Sequence, residues 1–323
     1  MSVVLRVAVP VPLPQLFDYL PPAGVDAHAI ALGARVLVPF GRSERVGVVI
    51  ARVAESELPP ERLKPASALL DVEALLTREL LGTLDWIARY YQHPLGEVLD
   101  AALPAGLRRA RALPAEGEPA LMLASGADAA ASKAGSASAH LRALLANGPL
   151  SYPALDAQLP KWRNAAANLR KRGLIVITQV TRRDLARVRI EPPPLTEEQR
   201  NAIAFVAMEF NRYAPCLLEG ITGSGKTEVY LALAERALAN GKQVLVLVPE
   251  IGLTPQLLRR FRERLAAPVH LMHSDLADGE RTRTWLAAAR GQACVILGTR
   301  SAIFAPLPQA GLLVVDEEHD ASY

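Results

Sequence analysis

Cysteine is almost missing: the 323 residues hold two, Cys216 and Cys294. A disulfide framework is therefore not expected, and no zinc-ligand spacing exists. Each cysteine sits in an apolar run and reads as a small core residue. This usage fits a reducing, cytosolic compartment. Long apolar runs are also absent. None approaches the ~20 residues a membrane-crossing helix needs, and the first residues lack the charged start and apolar stretch of a secretory leader. Neither charge sign dominates: 36 Lys and Arg face 33 Asp and Glu, for a net charge of +3. That excludes a histone-like polycation but permits local basic patches. Half the residues are hydrophobic, and the length favours two or three domains over one.

The chain begins with strand signals. Val3 to Val9 is rich in β-branched residues. Pro10, Pro12 and Pro14 follow at alternate positions, which suits an extended arm or edge. Arg35–Phe40 and Arg45–Val53 are joined by Gly41-Arg42-Ser43-Glu44, a hairpin signal, so a small β-barrel or sandwich is expected. From Leu75 to Leu99 the period turns helical, with Leu76, Leu80, Leu84, Ile87 and Tyr91 on one face.

Residues 112–138 are rich in Ala, Gly and Ser and read as a flexible connection or weakly ordered insertion. Three short helices are expected next, over His140–Ala146, Tyr152–Leu159 and Lys161–Arg172, followed by a strand over Leu174–Val180. Helix, helix, helix, strand is the order of a winged helix. The third helix carries Lys161, Arg163, Arg170, Lys171 and Arg172. This basic element would enter a DNA groove; a solvated basic face is the alternative.

Pro192-Pro193-Pro194 marks a linker, after which strands and helices alternate. This is the rhythm of a doubly wound parallel sheet. Three segments follow: a β-rich domain over 1–104, a winged-helix domain over 105–190, and an α/β lobe over 191–323.

Chemistry is densest in the third segment. Gly220-Ile221-Thr222-Gly223-Ser224-Gly225-Lys226-Thr227 is a phosphate loop, with an apolar run (Cys216–Glu219) before it and a helix after it. Glycines let the backbone wrap a phosphate closely, and the loop N–H groups face the anion. Lys226 places charge on the outer phosphates, and Thr227 offers a hydroxyl to Mg²⁺. Four apolar residues then deliver Asp316-Glu317-Glu318-His319 at a strand end. Asp316 is placed to hold Mg²⁺ through water, and Glu317 to orient and deprotonate the attacking water. His319 gains weight only from its position beside these acids.

Three further loops have candidate roles. Thr196 and Gln199 have capping-box spacing, while the Gln199 amide could instead read adenine. Val248-Pro249 through Thr254-Pro255-Gln256 follows a buried strand, where open α/β sheets place ligands. Thr299, Arg300 and Ser301 follow the next strand and could donate hydrogen bonds to a DNA backbone.

GITGSGKTEVY, VPEIGLTPQ, GTRSAIFAP and DEEHDASY, in that order, resemble the primosomal protein N′ (PriA) family, superfamily 2 helicases that restart bacterial replication forks. VPLPQLFDYLPP is similar to that family's 3′-end-binding domain. The resemblance spans nearly the whole chain and is weakest over 105–190. It implies an incomplete RecA-like lobe, ATP and Mg²⁺ as cofactors, and an ATP-dependent 3′→5′ DNA helicase. It also implies forked and single-stranded DNA, primosome proteins and single-strand-binding protein as partners. By the same resemblance Phe17, Asp18, Tyr19, Gly41 and Lys64 form a 3′-end pocket, although Phe17 and Tyr19 alone would read as core. The family's zinc module and second motor lobe have no counterpart here, nor does the strand between the phosphate-loop and acidic-box strands, so a truncated piece competent in binding but not unwinding is expected. The alternatives are a non-catalytic fork-binding module and a different superfamily 2 translocase.

Overall fold

The computed structural model describes residues 3–111, 113, 118–124, 136–180, 192–210, 212–221, 223–249, 254–292 and 294–321. They form two compact units, one of residues 1–113 with 187–323 and one of residues 114–186.

The first unit opens with β1 (Val4–Ala8), β2 (Phe17–Tyr19), β3 (Arg35–Phe40), β4 (Ser43–Val53) and β5 (Ala68–Leu69). These make one antiparallel sheet in the order β2-β1-β4-β3-β5. Its two ends meet, because Leu20 N–H donates to Lys64 O and Ala66 N–H to Leu20 O, both at 2.9 Å. The curl encloses Leu5, Val7, Val36, Val38 and Val49, in keeping with the β-rich domain expected. β3 and β4 pair from Phe40–Ser43 inward, leaving the two-residue turn Gly41-Arg42. Gly41 takes φ +61°, a conformation that disfavours other residues there.

Two helices follow, α1 (Arg78–Tyr90) and α2 (Leu95–Ala102). Thr77 caps α1, its side chain accepting from Leu80 N–H. Leu76, Leu80, Leu84 and Ala88 are buried, but Tyr91, placed on that stripe by the sequence period, is 69% exposed. The helix ends at Tyr90 and Gln92 turns to φ +52°, which breaks the period. Gly96 lets α2 touch β1's end: an added Cβ would lie 1.8 Å from Val9 O.

The second unit contains β6 (Glu118–Leu123), α3 (Ala137–Leu145), β7 (Leu150–Ser151), α4 (Tyr152–Gln158), α5 (Trp162–Lys171) and β8 (Ile175–Val180). Its antiparallel sheet runs β7-β6-β8. The central strand thus comes from the stretch read as flexible. Leu121-Met122-Leu123 supplies the strand signal, which the surrounding Ala, Gly and Ser obscure; Leu121 is buried against the helices. Leu141, Leu145, Leu155, Trp162 and Leu169 complete this core.

The first unit then resumes with α6 (Glu197–Met208), α7 (Lys226–Ala239), β9 (Gln243–Leu247), α8 (Pro255–Arg264), β10 (Val269–Met272), α9 (Asp278–Ala289), β11 (Val295–Gly298) and β12 (Ala310–Val315). The sheet is parallel, in the order β10-β11-β9-β12. Cys216–Glu219, expected to precede the phosphate loop as a strand, is not one. Leu217 is 73% and Ile221 83% exposed, and Cys216 is exposed while Cys294 is buried. The reading of Cys216 as a core residue is corrected accordingly. β12 forms the edge, paired only with β9 among the described strands. The run before the loop pairs with none of the described strands.

The first and third sequence segments share a core. Leu84, Leu99, Leu103 and Leu107 pack in the same cluster as Leu245, Leu247, Trp285 and Ile296. Gly106 lies directly against α9, where a Cβ would stand 2.5 Å from the Thr282 hydroxyl. No helix among the described residues is long and apolar enough to cross a membrane.

Candidate nucleotide site and 3′-end cavity

The phosphate loop runs into α7 through Gly223 (φ +83°) and Gly225 (φ +85°), positions that need glycine's freedom. Gly225 is the N-cap, so Lys226 and Thr227 open the helix where N–H groups point outward. Lys226 Nζ donates to Gly220 O at 2.8 Å and lies 3.3 Å from Glu317 Oε1. Tyr230, one turn further along α7, donates from its phenol to Asp316 Oδ1 at 3.2 Å. The glycine turn and the strand-end acids therefore meet on one side of the sheet. Parallel pairing explains why: β12 lies directly beside β9, and Asp316 N–H donates to Leu247 O at 2.9 Å. Glu317 takes φ +49°, part of the turn that brings its carboxylate back toward Lys226. His319 Nε2 is 3.7 Å from Glu317 Oε2 and stays largely exposed. Thr222 lies outside the described residues.

Gln199 does two things. Its side-chain carbonyl accepts from Thr196 N–H at 3.0 Å while Thr196 Oγ1 accepts from Gln199 N–H, closing the capping box. Its amide also donates to Ser224 O at 3.1 Å. Both ends of the amide are thus committed to the helix start and the loop. An ammonium, a hydroxyl and two carboxylates around a helix N-terminus form a donor set that fits a nucleotide phosphate with a divalent cation.

The other loop candidates divide. Thr254 caps α8 by accepting from Leu257 N–H, and Gln256 is exposed in the first turn. Thr299 is only 5% exposed, its side chain turned inward. Of its neighbours, Arg300 is exposed, whereas Ser301 is half-buried with its hydroxyl enclosed. The arginines of α8 are largely engaged within the fold: Arg260 pairs with Glu228 at 2.7 Å and Arg264 with Glu235 at 3.0 Å, tying α8 to α7.

In the N-terminal sheet, Phe17, Asp18, Tyr19, Gly41 and Lys64 all line one cavity of about 740 Å³. Phe17 is half-buried and meets Phe40 edge-on, with ring centroids 5.1 Å apart. Asp18 accepts from Arg6 Nε at 3.2 Å and from Ser56 Oγ at 2.7 Å. Tyr19 is a wall rather than a platform: it is 6% exposed and donates to Pro39 O at 3.1 Å. Burial pushes its phenol pKa up. Space beside Gly41 is open. Arg6, Phe40 and Ser56 escaped sequence reasoning. Arg6 was findable, since β1–β2 pairing sets it opposite Asp18. Tyr230 was findable too, four residues from Lys226 on one helical face.

On α5, Trp162, Ala165, Ala166 and Leu169 face the core while Arg170 and Lys171 are exposed, as is Lys161 at the N-cap. Arg163 is occupied by Asp156 at 2.6 Å and lies 4.7 Å from the Trp162 ring centre.

Comparison with known proteins matches the PriA 3′ DNA-binding domain (3′BD) to residues 6–104 and the DEAD/DEAH box helicase family to residues 196–323. The replication restart protein PriA of Haemophilus influenzae is 38% identical over 330 residues, covering 99% of this chain and 45% of the relative. The chain belongs to the PriA family. PriA of Synechocystis is 33% identical over 403 residues, 98% of this chain and 48% of the relative. The Bacillus subtilis PriA is 47% identical over 135 residues, 41% of this chain and 17% of that protein. The chain thus spans about half the length of the first two relatives.

Proposed function

We propose that this chain is the DNA-end-recognising and ATP-binding part of an ATP-dependent 3′→5′ DNA helicase that acts in replication restart. The observation that carries the reading is the approach of Lys226 Nζ to within 3.3 Å of Glu317 Oε1, beside Asp316. Thr227 and Asp316 would hold Mg²⁺, which supplies charge neutralisation at the phosphates when bound. Lys226 leaves Gly220 O and Glu317 to bind the outer phosphates. Glu317, released, orients water and accepts its proton at the carboxylate. The hydrogen bonds that commit both ends of the Gln199 amide favour loop alignment, and adenine reading requires its amide to leave Ser224 O.

At the other site Phe17 offers a ring face to a terminal base, Asp18 accepts from a base edge or 3′-hydroxyl, and Lys64 holds a phosphate. The 114–186 unit acts as a winged helix, with Lys161 at the N-cap of α5 and Arg170 and Lys171 on the helix against DNA. Forked DNA, primosome proteins and single-strand-binding protein are the partners, in the cytoplasm of a bacterium. Thr254, Gln256, Arg300 and Ser301 remain candidates for single-strand contact, Thr299 by way of its backbone only.

A second reading, a fork-binding module whose lobe does not turn over, is favoured by one observation: the run before the phosphate loop stands outside the sheet. DNA-stimulated phosphate release separates the two. The motor reading expects slow release by this chain that disappears in Lys226→Ala, and no unwinding. Release that survives Lys226→Ala would refute it. For the cavity, binding to a fork with a free 3′-hydroxyl should exceed binding to a blocked end, and the preference should vanish in Phe17→Ala or Asp18→Ala.

A further inference from the structure

We infer that Tyr230 is a positioning residue for the magnesium carboxylate, setting Asp316 from the same helix that presents Lys226 and Thr227; this rests on the nucleotide-site reading above. The main chain of Asp316 is fixed by the sheet, through its N–H bond to Leu247 O. A short acid at a strand end still has rotamer freedom, and the phenol hydrogen bond at 3.2 Å restricts it. Tyr230 can do this because its ring packs, partly buried, on the core of α7, β9 and β12, with Leu231, Val246 and Val314 in the same cluster. The ring is anchored, so the hydroxyl is a fixed point rather than a swinging one.

The geometry joins both halves of the site through one helix. Lys226 opens α7, and Tyr230 lies one turn along it. Any shift of α7 that moves the phosphate-binding end moves the donor holding Asp316 as well. A hydroxyl donating to one carboxylate oxygen orients its remaining lone pairs, the usual task of a partner behind a metal ligand. Phenylalanine would fill the same space without this donor.

The test is the magnesium dependence of nucleotide binding, read by fluorescence of a mant-labelled ATP with the full chain. Tyr230→Phe should bind the nucleotide in EDTA as the parent does. It should need about tenfold more Mg²⁺ for half-maximal response. On an Asp316→Asn background the same change should shift nothing further, because its target is gone. An unchanged magnesium midpoint in Tyr230→Phe would overturn the assignment, as would an equal shift on both backgrounds. Lys226→Ala distinguishes the levels: if it binds the nucleotide like the parent, or if the parent binds none, the nucleotide-site reading itself fails. If Lys226→Ala loses binding while Tyr230→Phe behaves as the parent, only the role of Tyr230 falls. Thermal melting without nucleotide provides the structural control, since a purely architectural bond would lower melting and leave the magnesium midpoint alone.

Discussion

Replacing Asp71 with Ala should cost this protein more than any surface change. Arg35 at the start of β3 is fully buried, and Asp71 nearly so. The guanidinium donates from Nε to Oδ2 and from Nη2 to Oδ1, both at 2.8 Å, while Nη1 donates to Leu107 O at 2.6 Å. Oδ2 also accepts from Arg35 N–H at 3.1 Å. The two charges therefore satisfy each other, and a main-chain carbonyl absorbs a further donor. Removing the acid strands a cation without water, a loss of about 3–5 kcal/mol. For a folding unit of this size that lowers the melting temperature by roughly 10 °C. Removing both charges with Arg35→Met and Asp71→Leu should recover most of the loss, because desolvation of the pair offsets much of its attraction. Circular dichroism melts of the parent, both single variants and the double variant form the cycle. A cost below about 1 kcal/mol for Asp71→Ala would mean that water reaches the guanidinium, and the reasoning would fail.

Three more outcomes are expected. Gly96→Ala should destabilise the first unit by at least about 2 kcal/mol, since the new methyl meets Val9 backbone that cannot rotate away; urea titration reads this directly. One thiol per native chain should react promptly with Ellman's reagent, because Cys216 is exposed, while Cys294, buried and with its thiol pKa raised by desolvation, should react only in denaturant. Hydrogen bonds from Arg163 and Trp162 hold the Asp156 carboxyl below its usual 3.8. That contribution is complete above pH 3.8 and is lost as pH falls through the lower folded value. Asp156→Asn should flatten the acid limb of unfolding for residues 114–186, monitored by Trp162 fluorescence.

The phosphate loop and the acids were legible because their chemistry fixes residue type and spacing together: only glycine takes φ +83° and +85° without strain, and the acids follow directly on an apolar run, although that run forms a half-exposed edge strand. The start of α6 followed from the capping-box spacing of Thr196 and Gln199, whereas the caps at Thr77 and Thr254 emerge only in the structure. The 118–123 strand was hidden because composition averaged over a window outweighs three apolar residues, of which Leu121 finds partners on both sides. The 216–219 run misled in the opposite direction, since an apolar pattern states a propensity while a ladder requires a neighbour. Tyr19 and Asp18 sit adjacent in one strand, yet period-two alternation sends one ring inward and leaves the acid lining the cavity. No local signal reports that residues near 100 and residues near 290 bury one another; that belongs to topology alone.

This interleaving has a consequence for synthesis. As the chain leaves a ribosome, its opening 113 residues emerge with Leu99, Leu103 and Leu107 still lacking the partners encoded after position 240. The 114–186 module closes its own core from contiguous sequence, so it should reach its final form first although it begins later. The older segment must wait, with an apolar face uncovered, until the last strands arrive. Nascent-chain proteolysis should find the 114–186 module protected before the stretch from Leu99 to Leu107 is.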